Sequence, residues 1–130
     1  MEKMQELLNR MAMEFPGFLA GAIVDKHEGL TIVESRLDEE FEISITAAYS
    51  VELVRAQKRS LEALGREDED PIEVFSFTKN YIFISKPLGD TPFYLHLVLK
   101  RSKAVLGLVF AFLKKYDRLL TEAAREWQEA

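Results

Sequence analysis

The stretch IEVFSFTKNYIFISKPLGDTPFYLHLVL, residues 72–99, decides the fold. Ile72 to Thr78 and Tyr81 to Ser85 are runs of β-branched and aromatic residues separated only by Lys79 and Asn80. So short a link permits only an antiparallel hairpin, and asparagine readily takes the left-handed conformation that a tight turn requires. Pro87, Leu88, Gly89 and Asp90 reverse the chain again. Phe93 to Leu99 then alternates, with Phe93, Leu95, Leu97 and Leu99 on one face and Tyr94, His96 and Val98 on the other. Apolar side chains fall on both faces, so this three-stranded unit needs cover above and below.

The cover lies on either side in the chain. Upstream, Phe18 to Val24 and Leu30 to Val33 read as a second hairpin whose turn, Asp25 to Gly29, ends in a residue that tolerates positive φ. Met4, Leu7, Leu8, Met11 and Phe15 recur at three- and four-residue steps and predict a helix over Glu2 to Glu14, stopped by Pro16 and Gly17. A middle helix is expected over Ile43 to Leu64, closed by Gly65. A last helix is expected from Ser102, as N-cap, to about Trp127, with a stripe of Val105, Val109, Phe112, Tyr116, Leu119, Ala123 and Trp127. The order is helix, two strands, helix, three strands, helix. That is an α+β chain with a mainly antiparallel sheet between two helical layers, one of which is the middle helix.

The 130 residues fit one domain over 1–130, large enough to bury a core without staples. Cysteine is absent, which removes thiol nucleophiles, disulfides and thiolate metal sites and makes the cytoplasm the expected location. Met1 to Met13 is interrupted by Glu2, Lys3, Glu6 and Arg10, so it is not expected to act as a signal peptide, and no stretch is long and apolar enough to span a bilayer. A net charge of -5 opposes nucleic-acid binding. The acids gather at Asp38 to Glu42 and Glu67 to Asp70, the bases at Lys100 to Lys103 and Lys114 to Arg118.

The middle helix carries two apolar stripes. Tyr49, Leu53, Ala56, Ser60 and Leu64 can rest on the sheet, whereas Ala47, Ser50, Val54, Gln57, Leu61 and Leu64 form an adjoining seam of small or partly polar residues with heptad-like spacing, suited to a second helix. A wet edge of a monomeric helix is the alternative reading of that seam. The strand beginning at Ile72 places Glu73, Phe75 and Phe77 on one face, and if it is terminal its edge invites pairing. A two-fold axis satisfies both surfaces at once, so a homodimer is expected, with Ala47, Ser50, Val54, Gln57, Leu61, Glu73, Phe75 and Phe77 at its interface.

Specific segments carry a family resemblance. Glu6-Leu7-Leu8 through Phe15-Pro16-Gly17, then Gly21-Ala22-Ile23-Val24-Asp25 with Gly29 closing the turn, resemble the opening of roadblock (dynein light chain family) domains. Tyr81-Ile82-Phe83-Ile84 and Lys86-Pro87-Leu88-Gly89, followed by a strand and a long helix, are similar to that family's second half. The resemblance implies a profilin-like sandwich: a five-stranded antiparallel sheet with one helix on one face and two on the other, dimerised through the middle helix and third strand. It further implies a non-enzymatic regulator or scaffold for a small Ras-like GTPase, in some members accelerating GTP hydrolysis, or a light-chain-like subunit of a larger complex. Glu52, Arg55, Lys58, Arg59 and Glu62, opposite the second seam, are the partner-contact candidates under that reading.

Other chemistry finds little support. His27 and His96 have no ligand-spaced neighbours, so no metal is expected; His27 reads as part of a solvated turn and His96 as part of a sheet face under a helix. No Gly-x-Ser-x-Gly elbow marks a nucleophile, and no phosphate loop makes the chain a GTPase itself, so neither a catalytic residue nor a cofactor is assigned. The acidic runs lack the oxygen spacing of a calcium loop. A small-ligand sensing module, with a pocket between sheet and helix, is the rival of a different class.

Overall fold

The structure, a computed structural model, describes residues 1–130. Its elements are α1 (Glu2–Glu14), β1 (Phe18–Asp25), β2 (Thr31–Arg36), α2 (Ile43–Ala63), β3 (Val74–Phe77), β4 (Tyr81–Pro87), β5 (Phe93–Lys100) and α3 (Leu106–Glu129). All five strands join one antiparallel sheet in the order β2-β1-β5-β4-β3. The two hairpins meet through β1 and β5, which bury nearly every side chain and therefore take the centre, leaving β2 and β3 as edges.

The alternation of β5 separates two cores. Phe93, Leu95, Leu97 and Leu99 join Ile82, Ile84 and the apolar faces of α1 and α3. On the opposite side Val98 joins Ala20, Ala22 and Val24 beneath Ile43, Ala47 and Val51 of α2. One helix thus covers one face and two cover the other, as the resemblance implied. No helix is long and apolar enough to cross a membrane.

Several local expectations are corrected. Ser102 is not the N-cap of the last helix: residues 101–103 form a turn, the helix begins at Leu106, and Val105 takes the cap position in extended conformation. Its buried stripe is Val109, Leu113, Tyr116, Leu120, Ala123 and Ala124, so Leu113 and Leu120 replace Phe112 and Leu119 at the centre. Asn80 does not turn left-handed, since every positive-φ residue is a glycine. The Thr78 hydroxyl instead accepts the Tyr81 N–H at 3.0 Å and holds the β3–β4 turn in an ordinary conformation.

Candidate partner interface

α2 decides what this molecule can present to another protein, and its burial reverses the two stripes expected from its sequence. Ala47, Ser50 and Val54 are buried against the chain's own sheet, while Tyr49 is 69% exposed, Leu53 42% and Ile45 60%; Ala56, Ser60 and Leu64 are exposed as well. The cause lies beneath the helix. The sheet surface there is built from Ala20 and Ala22, shallow residues that let a helix descend closely only if it also presents small side chains. Ala47 and Ser50 meet that demand, and the Ser50 hydroxyl turns back to the Ala47 carbonyl at 2.6 Å, so its burial leaves no polar group unpaired. Of the expected seam, Gln57 is exposed and Leu61 half-buried. Contrary to expectation, Ala47, Ser50 and Val54 are not surface residues, and Ile45, Tyr49 and Leu53, four residues apart on one line, form the exposed apolar stripe instead.

A histidine fastens α2 to the sheet. His96, fully buried on β5, has Nε2 2.9 Å from Thr46 Oγ1 and Nδ1 3.2 Å from the Ile84 carbonyl oxygen, and its ring stacks on Phe83 at 6.4 Å. The tautomer with Nδ1–H donating to Ile84 and the Thr46 hydroxyl donating to Nε2 satisfies both contacts while neutral. Burial drives its pKa down to about 4, the Ile84 contact opposing only part of the shift. His27 is exposed in the β1–β2 turn.

The charged face of α2 also divides. Arg55 donates to the Lys26 and His27 carbonyls at 2.9 Å each and pairs with Glu52 at 3.2 Å, so it caps the β1–β2 turn. Lys58 donates to the Glu67 carbonyl at 2.7 Å, contacts the Glu69 carbonyl and pairs with Asp70 at 2.9 Å. The hydrogen bond to Asp70 raises the Lys58 pKa despite some opposing desolvation. Both cations are thus committed to the chain's own loops. Arg59 and Glu62 are exposed and form no ion pair, and Glu52 is exposed.

Leu53 and Gln57 lie about half a turn of α2 from Arg55, on the flank away from the β1–β2 turn. β3 is an edge of the sheet, and its Phe77 is 49% exposed while Phe75 is half-buried. Glu73 precedes the strand and binds Lys86, a lysine nearly buried between Glu73 at 3.4 Å and Asp117 of α3 at 3.8 Å. Lys86 also reaches the Ile72 carbonyl at 3.4 Å. Lys58 and Lys86 therefore hold the segment entering β3 from two sides. Between them lies a cleft of about 510 Å³, lined mostly by charged and polar side chains that include Asp70, Asp90 and Tyr94.

Nothing in the sequence of Lys86 distinguished it, because its burial depends on where α3 crosses the sheet edge. Ile45 was legible as the residue that starts the Ile45, Tyr49, Leu53 progression.

No family model matches the chain, and no curated protein matches its sequence. Solved structures do match its architecture. The gliding protein MglB of Thermus thermophilus superposes with a TM-score of 0.82 at 19% identity, over 96% of this chain and 90% of that one. Myxococcus xanthus MglB gives 0.81 at 18% identity, over 95% and 96%. A Roadblock/LC7 domain from Streptomyces avermitilis gives 0.74 at 16% identity, over 97% and 98%. Matching such domains across nearly its whole length, the chain has the roadblock fold.

Proposed function

We propose that this protein is a non-enzymatic homodimeric regulator or scaffold for a small Ras-like GTPase. The observation that carries the reading is the line of Ile45, Tyr49 and Leu53 standing exposed on α2 in a chain whose β3 is an uncovered edge strand. Neighbouring apolar side chains on a helix seldom face water without a partner to cover them. A two-fold axis near β3 lets the two edges pair and brings the two α2 helices together on one side of the continuous sheet.

Magnitudes favour using both surfaces. A micromolar dimer requires about 8 kcal/mol. Backbone hydrogen bonds contribute about 1 kcal/mol each, so the edge of a four-residue strand falls short alone. Each large side chain carried from full exposure to burial adds about 1.5–3 kcal/mol, and each copy offers three such residues on α2, already partly covered.

The GTPase half of the reading rests on the family resemblance and on the likeness of this fold to MglB. The paired α2 helices offer a platform on which Glu52, Arg59 and Glu62 contact the partner, and the GTPase's own switch segments are held in a hydrolysis-ready arrangement without any catalytic group from this chain. Arg55 and Lys58 act by keeping that platform's loops in place.

The test is affinity capture from source lysate with a non-hydrolysable GTP analogue and, separately, with GDP, followed by hydrolysis rates of the captured GTPase with and without this protein. Nucleotide-dependent capture of a GTPase supports the reading, and a rate increase makes the protein an activator. Combined Arg59→Glu and Glu62→Lys substitution is expected to weaken that binding with the melting temperature unchanged; unchanged affinity rejects the platform. Capture of a motor or scaffold complex with no GTPase selects the light-chain alternative.

A further inference from the structure

The two sheet edges are not equivalent. On β2 the Glu34 carbonyl already accepts Gln5 Nε2 at 2.7 Å, and Arg36 pairs with Glu34 at 3.0 Å and Glu42 at 3.4 Å, so charge and side-chain bonding guard that edge. β3, from Val74 to Phe77, carries no charge. Its two ends, however, are flanked by opposite charges. Before it run Glu67, Asp68, Glu69, Asp70 and Glu73; after it come Lys79 and, beside the same turn, Arg101, whose Nη1 donates to the Thr78 carbonyl at 3.0 Å and which lies 5.9 Å from the Phe77 ring. No acidic residue occurs from Thr91 to Tyr116, although the chain's net charge is -5.

We infer, resting on the homodimer reading, that two copies are locked in register by charge: the acidic segment leading into β3 of each copy docks on the Lys79–Arg101 corner of the other. The geometry is that of an antiparallel edge pair. Directly opposed residues share a face, so the two-fold passes through a residue position and not between two. Centred on Ser76, the axis meets a small side chain, sets each Phe75 across from the second copy's Phe77, and sets each Lys79 across from the second copy's Glu73. Asp68 and Glu69, a few residues before Glu73, then fall at the same end of the pairing as the second copy's Lys79 and Arg101. The contact occurs twice by symmetry.

The aromatic layer lies on the face away from α2. Phe75 stacks on Phe110 of α3 at 5.2 Å and on Phe77 at 6.3 Å, and Phe110 is 51% exposed. The same pairing covers these rings and draws the cationic corner against the acids. Arg66 lies within the acidic segment and opposes the attraction, while Lys58 is turned inward on Asp70.

A charge-swap experiment tests the lock. One variant carries Arg101→Glu, the other Asp68→Lys and Glu69→Lys; dimer dissociation constants are measured by sedimentation at low and high salt. Each variant alone is expected to dimerise at least about tenfold more weakly than wild type at low salt, because like charges then meet at both symmetry-related Arg101 corners. An equimolar mixture regains a dimer near wild-type strength, because the heterodimer restores attraction at both contacts, and high salt narrows all the differences. Since Arg101 also braces the β3–β4 turn, Lys79→Glu alone is measured as well and is expected to show the same direction. A dimeric wild type whose strength neither variant changes, or variants that fail to recover on mixing, overturns the lock while leaving the homodimer standing. A monomeric wild type sinks the homodimer reading itself.

Discussion

His96 Nε2 lies 2.9 Å from Thr46 Oγ1, a contact across fifty residues that ties the first turns of α2 to the middle of the sheet. The ring is buried and neutral, so protonation must disrupt a desolvated site.

Stability should therefore depend on acid through this residue. The unfolded chain binds a proton near pH 6.5 and the folded chain only near 4, so the unfolded state holds more protons between these values. The His96 contribution is complete above about pH 6.5 and declines as pH falls toward 4, by about 3 kcal/mol over the window. Carboxylates such as Asp90, held below the usual range by the hydrogen bond and charge of Arg125, add a loss in the same direction that a His96 variant retains. Denaturant titrations at pH 7 and 4.5 should show His96→Gln losing distinctly less stability than wild type across this interval. Equal losses would remove His96 as the acid-sensitive group.

Two adjacent residues of α2 should respond oppositely to the same substitution. Val54→Glu places a charge under the helix at a position 2% exposed and should unfold the protein or cost several kcal/mol, whereas Leu53→Glu should leave the melting temperature within a few degrees. Leu53→Glu should instead convert a dimer at micromolar concentration to a monomer by sedimentation. A dimer that survives Leu53→Glu together with Tyr49→Glu contradicts the α2 part of the interface.

How much of this was legible follows the reach of each signal. The alternation of Phe93 to Leu99 and the shortness of the turns fixed an antiparallel sheet and its two covered faces, because strand alternation and link length are local. The pairing of α2's stripes failed because both Tyr49–Leu53 and Ala47–Ser50–Val54 have helical spacing, and the choice between them is made by Ala20 and Ala22, residues on another element. Arg55 and Lys58 looked like free surface charges for the same reason: the carbonyls they bind belong to loops distant in sequence or beyond the helix end.

Gly21 tests the packing of the larger core. A Cβ built there would lie 2.8 Å from Leu97 Cδ2, closer than carbon atoms tolerate, and in tight contact with Phe18 Cζ at 3.0 Å and Leu8 Cδ1 at 3.2 Å. Gly21→Ala should destabilise by about 1–3 kcal/mol through overpacking, although alanine ordinarily stabilises a strand relative to glycine. Adding Leu97→Val, which withdraws the nearest methyl, should cost less in the Gly21→Ala background than in wild type. Additive losses in that double-mutant cycle would show that the clash is relieved elsewhere.

Lys86 supplies the last test, because three elements converge on one ammonium. Its side chain is 9% exposed, and its partners Glu73 and Asp117 are 29% and 41% exposed. Lys86→Met keeps the aliphatic stem but leaves two carboxylates facing each other at the sheet edge, and it should cost about 2 kcal/mol, less than for a fully buried pair because water reaches both acids. Adding Asp117→Asn and Glu73→Gln removes the uncompensated charge and should recover much of that loss. Hydrogen exchange of the Ile72 to Phe75 amides provides the local readout: exchange should quicken in Lys86→Met and slow again in the triple variant. If these amides are unaffected while global stability falls, Lys86 braces α3 but does not hold the entry to β3.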